Sequence, residues 1–124
     1  MDELLRILVA EDDPIMLALI ERQLKEYNFE VQAVPNGKEA ILALEHFKPH
    51  LIITDLIMPY AGGLDVISAV RQRLGTEFPL IVLSALDEED TVLQAFKMGA
   101  DDFLTKPVKP GELAVRVKRL LKSI

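Results

Sequence analysis

Ile7-Leu8-Val9-Ala10-Glu11-Asp12-Asp13-Pro14 is an unbroken apolar run that stops abruptly in three acids and a proline. Two more runs share its character, Leu51-Ile52-Ile53-Thr54 and Leu80-Ile81-Val82-Leu83. All three are rich in β-branched residues and do not alternate with polar ones, the pattern of strands buried on both faces of a parallel sheet. Val31-Gln32-Ala33-Val34 and Phe103-Leu104 are weaker strand candidates. Between the strands the apolar spacing becomes helical. The stripes are Met16, Ile20, Leu24 and Tyr27; Ala40, Ile41, Leu44 and Phe47; Val66, Val70 and Leu74; Val92, Ala95 and Phe96; and Leu113, Val117, Leu120 and Leu121.

The punctuation agrees with this reading. Asp13-Pro14 is a helix cap followed by proline in the first turn. Gly99 suits the stop of the fourth helix, and Pro110 suits the start of the fifth. Asn36-Gly37 and Ala61-Gly62-Gly63 read as turns. Strand and helix therefore alternate five times, and right-handed crossovers put helices on both faces of a five-stranded parallel sheet. The expected fold is α/β, a doubly wound (βα)5 unit, with residues 1–124 as one domain.

Composition bounds the function. Half of the 124 residues are apolar and 27% are charged, enough to build a core and too apolar for a disordered chain. Twenty acids against 14 bases give a net charge of −6, which opposes a non-specific grip on nucleic acid. No apolar run approaches the roughly 20 residues of a membrane span. The absence of cysteine fits a reducing compartment, so a cytoplasmic location is expected, and thiolate metal sites are excluded.

In open α/β sheets, ligands bind beyond the carboxyl ends of the strands. Glu11, Asp12 and Asp13 follow the first run, Asp55 the third, Ser84 the fourth, and Thr105 and Lys106 the fifth. Crowded carboxylates repel one another unless a hard cation joins them, and Mg²⁺ suits a few carboxylate or carbonyl oxygens together with phosphate. A carboxylate beside such a cation can attack a phosphoryl group, and Lys106 and Ser84 would serve the phosphoryl oxygens. Asp13 reads as a cap only, and His46 and His50 as surface residues.

Four segments together resemble a two-component response-regulator receiver domain. They are Ile7 to Pro14; Ile53-Thr54-Asp55-Leu56-Ile57-Met58-Pro59; Ser84-Ala85; and Gly99-Ala100-Asp101-Asp102-Phe103-Leu104-Thr105-Lys106-Pro107. The resemblance implies the flavodoxin-like strand order 2-1-3-4-5. It implies Asp55 as phosphoacceptor, with Mg²⁺ or Mn²⁺ bound directly by Asp12, through water by Glu11, and by Asp55 and the backbone carbonyl of Ile57. Ser84 and Lys106 would hold the phosphoryl oxygens, Phe103 would be the switching aromatic, and the Lys106-Pro107 bond would be cis.

The implied partners are a histidine kinase or histidine phosphotransfer protein upstream and an output domain or protein downstream, with no separate substrate turnover. The run Gly99 to Leu121 resembles DNA-binding regulators that dimerise on this face, with Asp102 and Arg116 as a cross-pair. Lys97 and Lys118 depart from that subfamily's charge pairing. Ile57 and Leu86 are apolar where fast-hydrolysing members carry polar groups, which points to a long-lived phosphoaspartate. An Asp-nucleophile phosphatase of the haloacid-dehalogenase type would need a second Asp at position 57, which is Ile. A receiver acting without phosphorylation would have no use for the five polar site residues. No nucleotide-binding glycine motif is present.

Overall fold

The computed structural model describes residues 4–85 and 87–122; Leu86 therefore lies outside the described residues. Ten elements alternate along the chain: β1 (Arg6–Ala10), α1 (Pro14–Glu26), β2 (Glu30–Val34), α2 (Gly37–Phe47), β3 (Leu51–Asp55), α3 (Gly63–Leu74), β4 (Leu80–Ser84), α4 (Glu89–Lys97), β5 (Asp102–Thr105) and α5 (Pro110–Leu121). The strands form one sheet in the order β2-β1-β3-β4-β5, every pairing parallel. No described helix is long and apolar enough to cross a membrane.

Side chains along a strand alternate between faces, and each face is closed by its own helices. Ile7, Val9, Leu51, Ile53, Ile81 and Leu83 pack with Ile20 and Leu24 of α1 and Leu113 and Val117 of α5. Leu8, Ala10, Ile52, Leu80 and Val82 face the other way, onto Ala40 and Leu44 of α2, Val66, Ile67 and Val70 of α3, and Ala95 of α4. A strand flanked on both sides needs apolar residues at every position, and β3 and β4 are buried throughout. The edge strands are not. In β5, Asp102 and Leu104 are buried while Phe103 and Thr105 are exposed, and β2 is mostly half-buried. Their weak sequence signal follows from this, and both run longer than the apolar cores that announced them.

Two turn expectations resolve differently. Asn36 is the N-cap of α2, its side chain accepting from the Glu39 N–H at 2.8 Å, and Gly37 is already helical. Gly62 precedes α3, where the Asp65 carboxylate accepts from the Gly62 N–H at 3.1 Å. The first turn of α2 also binds the loop after β3. Gly37 N–H donates to the Ala61 carbonyl (3.1 Å) and Lys38 N–H to that of Tyr60 (2.7 Å). Tyr60 and Ala61 adopt φ of 52° and 80°, a left-handed conformation costly for residues with a Cβ, and the helix-start N–H groups help hold it.

His50 is half-buried rather than a plain surface residue: its Nδ1 accepts from the Arg6 N–H at 2.9 Å. Asp87 and Glu88 precede α4, and the Glu88 carboxylate reaches back to accept from the Ala85 N–H.

Gly63 packs where a Cβ would collide with the Asp55 carbonyl oxygen, whereas a Cβ on Gly111 would meet open space. Gly63→Ala should therefore cost about 1–3 kcal/mol in urea unfolding through overpacking. Gly111→Ala should be neutral or stabilise by up to about 1 kcal/mol, as alanine does in helices.

Candidate functional site

The sheet's register assembles the site. Ala10 pairs with Thr54 across β1 and β3, so the next residues, Glu11 and Asp55, leave the sheet side by side. Asp55 and Ser84 are the last residues of the adjacent strands β3 and β4, and Lys106 follows β5. Glu11 has no solvent exposure, and Asp55 and Ser84 are each only 2% exposed. Asp12 is exposed at the mouth. Single carboxylate oxygens of Glu11, Asp12 and Asp55 lie within 4.8 Å of one another.

Lys106 is the counter-charge. Its ammonium donates to Asp55 Oδ2 at 2.6 Å and sits 3.2 Å from Glu11 Oε1. Asp55 Oδ1 accepts from the Leu56 N–H at 2.8 Å. Glu11 Oε2 accepts a long bond, 3.3 Å, from the Asp13 N–H. Glu11 Oε1, fully buried, has the ionic contact with Lys106 but no aligned hydrogen bond. A buried carboxylate oxygen left so is costly, and it marks a place where a further donor or a cation fits. The donor set is entirely hard oxygen, as Mg²⁺ or Mn²⁺ prefers.

The electrostatics follow from burial. Loss of solvent, then a hydrogen bond and charge repulsion from Asp55, push the Glu11 carboxyl up to about 8, against the pull of Lys106 and the Asp13 N–H. Burial works to lower the Lys106 ammonium, but its bonding to Asp55 and the charge of Glu11 outweigh this and raise it.

The other predicted residues surround this cluster. The Lys106 N–H donates to the Ser84 carbonyl at 2.8 Å, and the Lys106-Pro107 bond is cis. Ile57 stands in the loop after Asp55 with its side chain 60% exposed. Ser84 and Phe103 both line a cavity of about 470 Å³, together with Ala85, Val92, Phe96 and Thr105. Phe103 is 39% exposed and packs edge-on against Phe96, ring centroids 5.7 Å apart. Sequence reasoning missed this partnership, because Phe96 read simply as part of a core-facing stripe.

Asp102 and Arg116 pair within the chain, Nη1 lying 2.7 and 2.8 Å from the two carboxylate oxygens. Asp102 is nearly buried, and Arg119 stands 3.8 Å away. Lys118 lies over a ring, its Nζ 4.4 Å from the Tyr27 ring centroid at the end of α1.

The pH dependence of folding has a definite sign. Glu11 titrates near 4.5 in the unfolded chain and near 8 in the folded one, so between these values the folded protein holds the extra proton. Stability should fall as pH rises from about 5 to 8, by roughly 1–3 kcal/mol from this group. Thermal melts of Glu11→Gln should lack that component, so a wild-type profile no steeper than the variant's would contradict it.

The description "Response regulator receiver domain" belongs to the family model that matches residues 7–118. The chain is 35% identical over 117 residues to the alkaline phosphatase synthesis transcriptional regulatory protein PhoP of Bacillus subtilis, covering 94% of this chain and 48% of that protein. It is 38% identical to the transcriptional regulatory protein PrrA of Mycobacterium tuberculosis, covering 94% and 50% respectively. The chain thus spans about half the length of these curated relatives. Among solved structures, the receiver domain of the Francisella response regulator 1452 superposes with a TM-score of 0.85 at 33% identity, covering 95% of this chain and 97% of that one. The signal receiver domain of a histidine kinase from Syntrophus aciditrophicus gives 0.87 at 35% identity, covering 96% and 91%.

Proposed function

The chain belongs to the response-regulator receiver domain family, and from that premise we propose that it is a cytoplasmic switch in which Asp55 accepts a phosphoryl group from a histidine kinase or histidine phosphotransfer protein. One observation carries the reading: a buried carboxylate, Asp55, lies beside two further acids and 2.6 Å from a lysine ammonium at the strand ends. An Asp55 oxygen bonds to phosphorus as the bond from phosphorus to the donor's imidazole nitrogen breaks, its electron pair leaving with the imidazole. Bound through Asp12, Glu11, Asp55 and the Ile57 carbonyl, Mg²⁺ or Mn²⁺ would supply positive charge for the phosphoryl oxygens.

Lys106 already touches Asp55 Oδ2 and has a short reach to a phosphoryl oxygen attached there. Modification adds about 1.5–2 negative charges and three acceptors. The Ser84 hydroxyl turns to one of them, and Phe103, now partly exposed beside the cavity, moves into the space between. The result is a population shift of α4, β5 and α5 toward a second packing that an output domain or protein reads. In that packing Asp102 and Arg116 exchange their internal pairing for one across a homodimer. No separate substrate is turned over.

Incubation with acetyl phosphate and Mg²⁺ should add one phosphoryl group to the wild type and none to Asp55→Asn, read by intact mass. Equal gain in both proteins would remove Asp55 from its role. Light scattering on the same samples should show a doubled mass only for the phosphorylated wild type.

The exposed Ile57 side chain supports slow hydrolysis, since it offers attacking water no polar guide. Substituting Ile57→Asn and Leu86→Glu together should shorten the phosphoaspartate half-life about tenfold, equivalent to about 1.4 kcal/mol of barrier. An unchanged half-life, followed by mass spectrometry, would refute the idea that the lack of a polar guide slows hydrolysis.

A further inference from the structure

The helix α4 is held more firmly at one end than at the other. Its single buried residue, Ala95, lies in its second half. The first half exposes Glu89, Asp90 and Leu93, reaches the core only through the half-buried Val92, and lines the cavity beside Ser84. The N-cap residue Glu88 makes no side-chain cap bond to the helix.

The other end is held firmly. Gly99 adopts φ 113°, and its N–H donates to the Phe96 carbonyl (3.0 Å) while the Ala100 N–H donates to that of Ala95 (2.9 Å), a double closure that stops the helix. Arg71 of α3, its side chain only 12% exposed, grips this stop. Nη1 donates to the carbonyls of Gly75 (2.9 Å) and Phe78 (2.7 Å), and Nη2 donates to the Gly99 carbonyl and lies 3.4 Å from Asp101 Oδ2. Asp101 is itself fixed to β4, its Oδ2 accepting from the Leu80 N–H (2.8 Å) and its N–H donating to the Leu80 carbonyl (2.9 Å). A Cβ on Gly99 would come within 2.7 Å of Arg71 Nε, so the position needs glycine for contact as well as for φ.

From this asymmetry we propose that Arg71 is a positioning residue that pins the C-terminal end of α4, so that the helix answers the acceptor site by swinging about that end. A guanidinium suits the task because its planar fork can serve several fixed acceptors at once, which a single ammonium on a flexible stem cannot. The pin sits at the pole of the sheet opposite Asp55, where β4 begins. Motion started near Ser84 and Ala85 is therefore largest at the free end of the helix and smallest at Gly99. The same pin fixes Asp101, the residue just before β5 and two before Phe103. The swing, though not the pin itself, rests on the phosphoacceptor reading given above.

Hydrogen exchange on the full chain, with and without beryllofluoride and Mg²⁺ as the phosphoryl mimic, separates the possibilities. In the wild type, amides of residues 89–94 should change exchange rate at least about tenfold on addition of the mimic, and those of 95–101 less than about twofold. In Arg71→Met without the mimic, protection of 95–101 should fall about tenfold or more while β1 and β3 keep theirs, with Arg71→Lys between the two. The wild-type comparison needs no variant and stands even if Arg71→Met fails to fold. Equal responses along α4 in the wild type, or unchanged protection of 95–101 in a folded Arg71→Met, overturns the pivot. A response at the Asp55 loop in those cases keeps the acceptor reading intact. No response anywhere in the chain overturns both.

Discussion

Parallel pairing of β1 with β3 forces Glu11 and Asp55 out of the sheet as neighbours, and the rest of the site is arranged around that unfavourable meeting of two carboxyl groups. Burial removes the water that would screen them, so the cost falls on protonation: Glu11 rises to about 8. Lys106 relieves part of the repulsion and is raised in turn. One oxygen of Glu11 still has no aligned donor. Such a spot is costly in the bare protein, and a hard divalent cation has the right charge and ligand preference to complete it.

The interior of the sheet was readable because strands covered on both faces must be apolar at every position, as β3 and β4 are. Edge strands are covered less completely, so β2 and β5 announced only fragments of themselves. The polar strand ends were readable for a related reason: an acid immediately after a buried run has few structural excuses. What stayed hidden were contacts that depend on tertiary approach. Asn36-Gly37 has the composition of a turn, and only the fold reveals it as a helix start. His50 gave no hint that its imidazole accepts from the first strand. Arg71 carries no signal in the sequence, although it gathers carbonyl groups from two loops.

The two faces of the sheet are unequal in firmness. On one, α1 and α5 bury large side chains, Ile20, Leu24, Leu113 and Val117, against β1, β3 and β4. On the other, α2 and α3 pack closely, but α4 fully buries a single alanine and adds only the half-buried Val92. Elements with little buried surface open at the lowest free-energy cost. The weakly held helix borders the cavity that joins Ser84 to Phe103, so the part of the molecule easiest to displace adjoins the chemistry.

The capping of α1 and α2 has its own outcome. Asp13 accepts from the Ile15 N–H, Asn36 from that of Glu39, and the Tyr60 and Ala61 carbonyls occupy the next donors of α2. Many α/β sheets of this general design grip a polyphosphate with the bare amide end of a helix. Here those ends are already plugged, one of them by an acid. The starts of α1 and α2 are therefore ill-suited to cradle a nucleotide, and the positive group that meets Asp55 is instead a single side chain, the Lys106 ammonium.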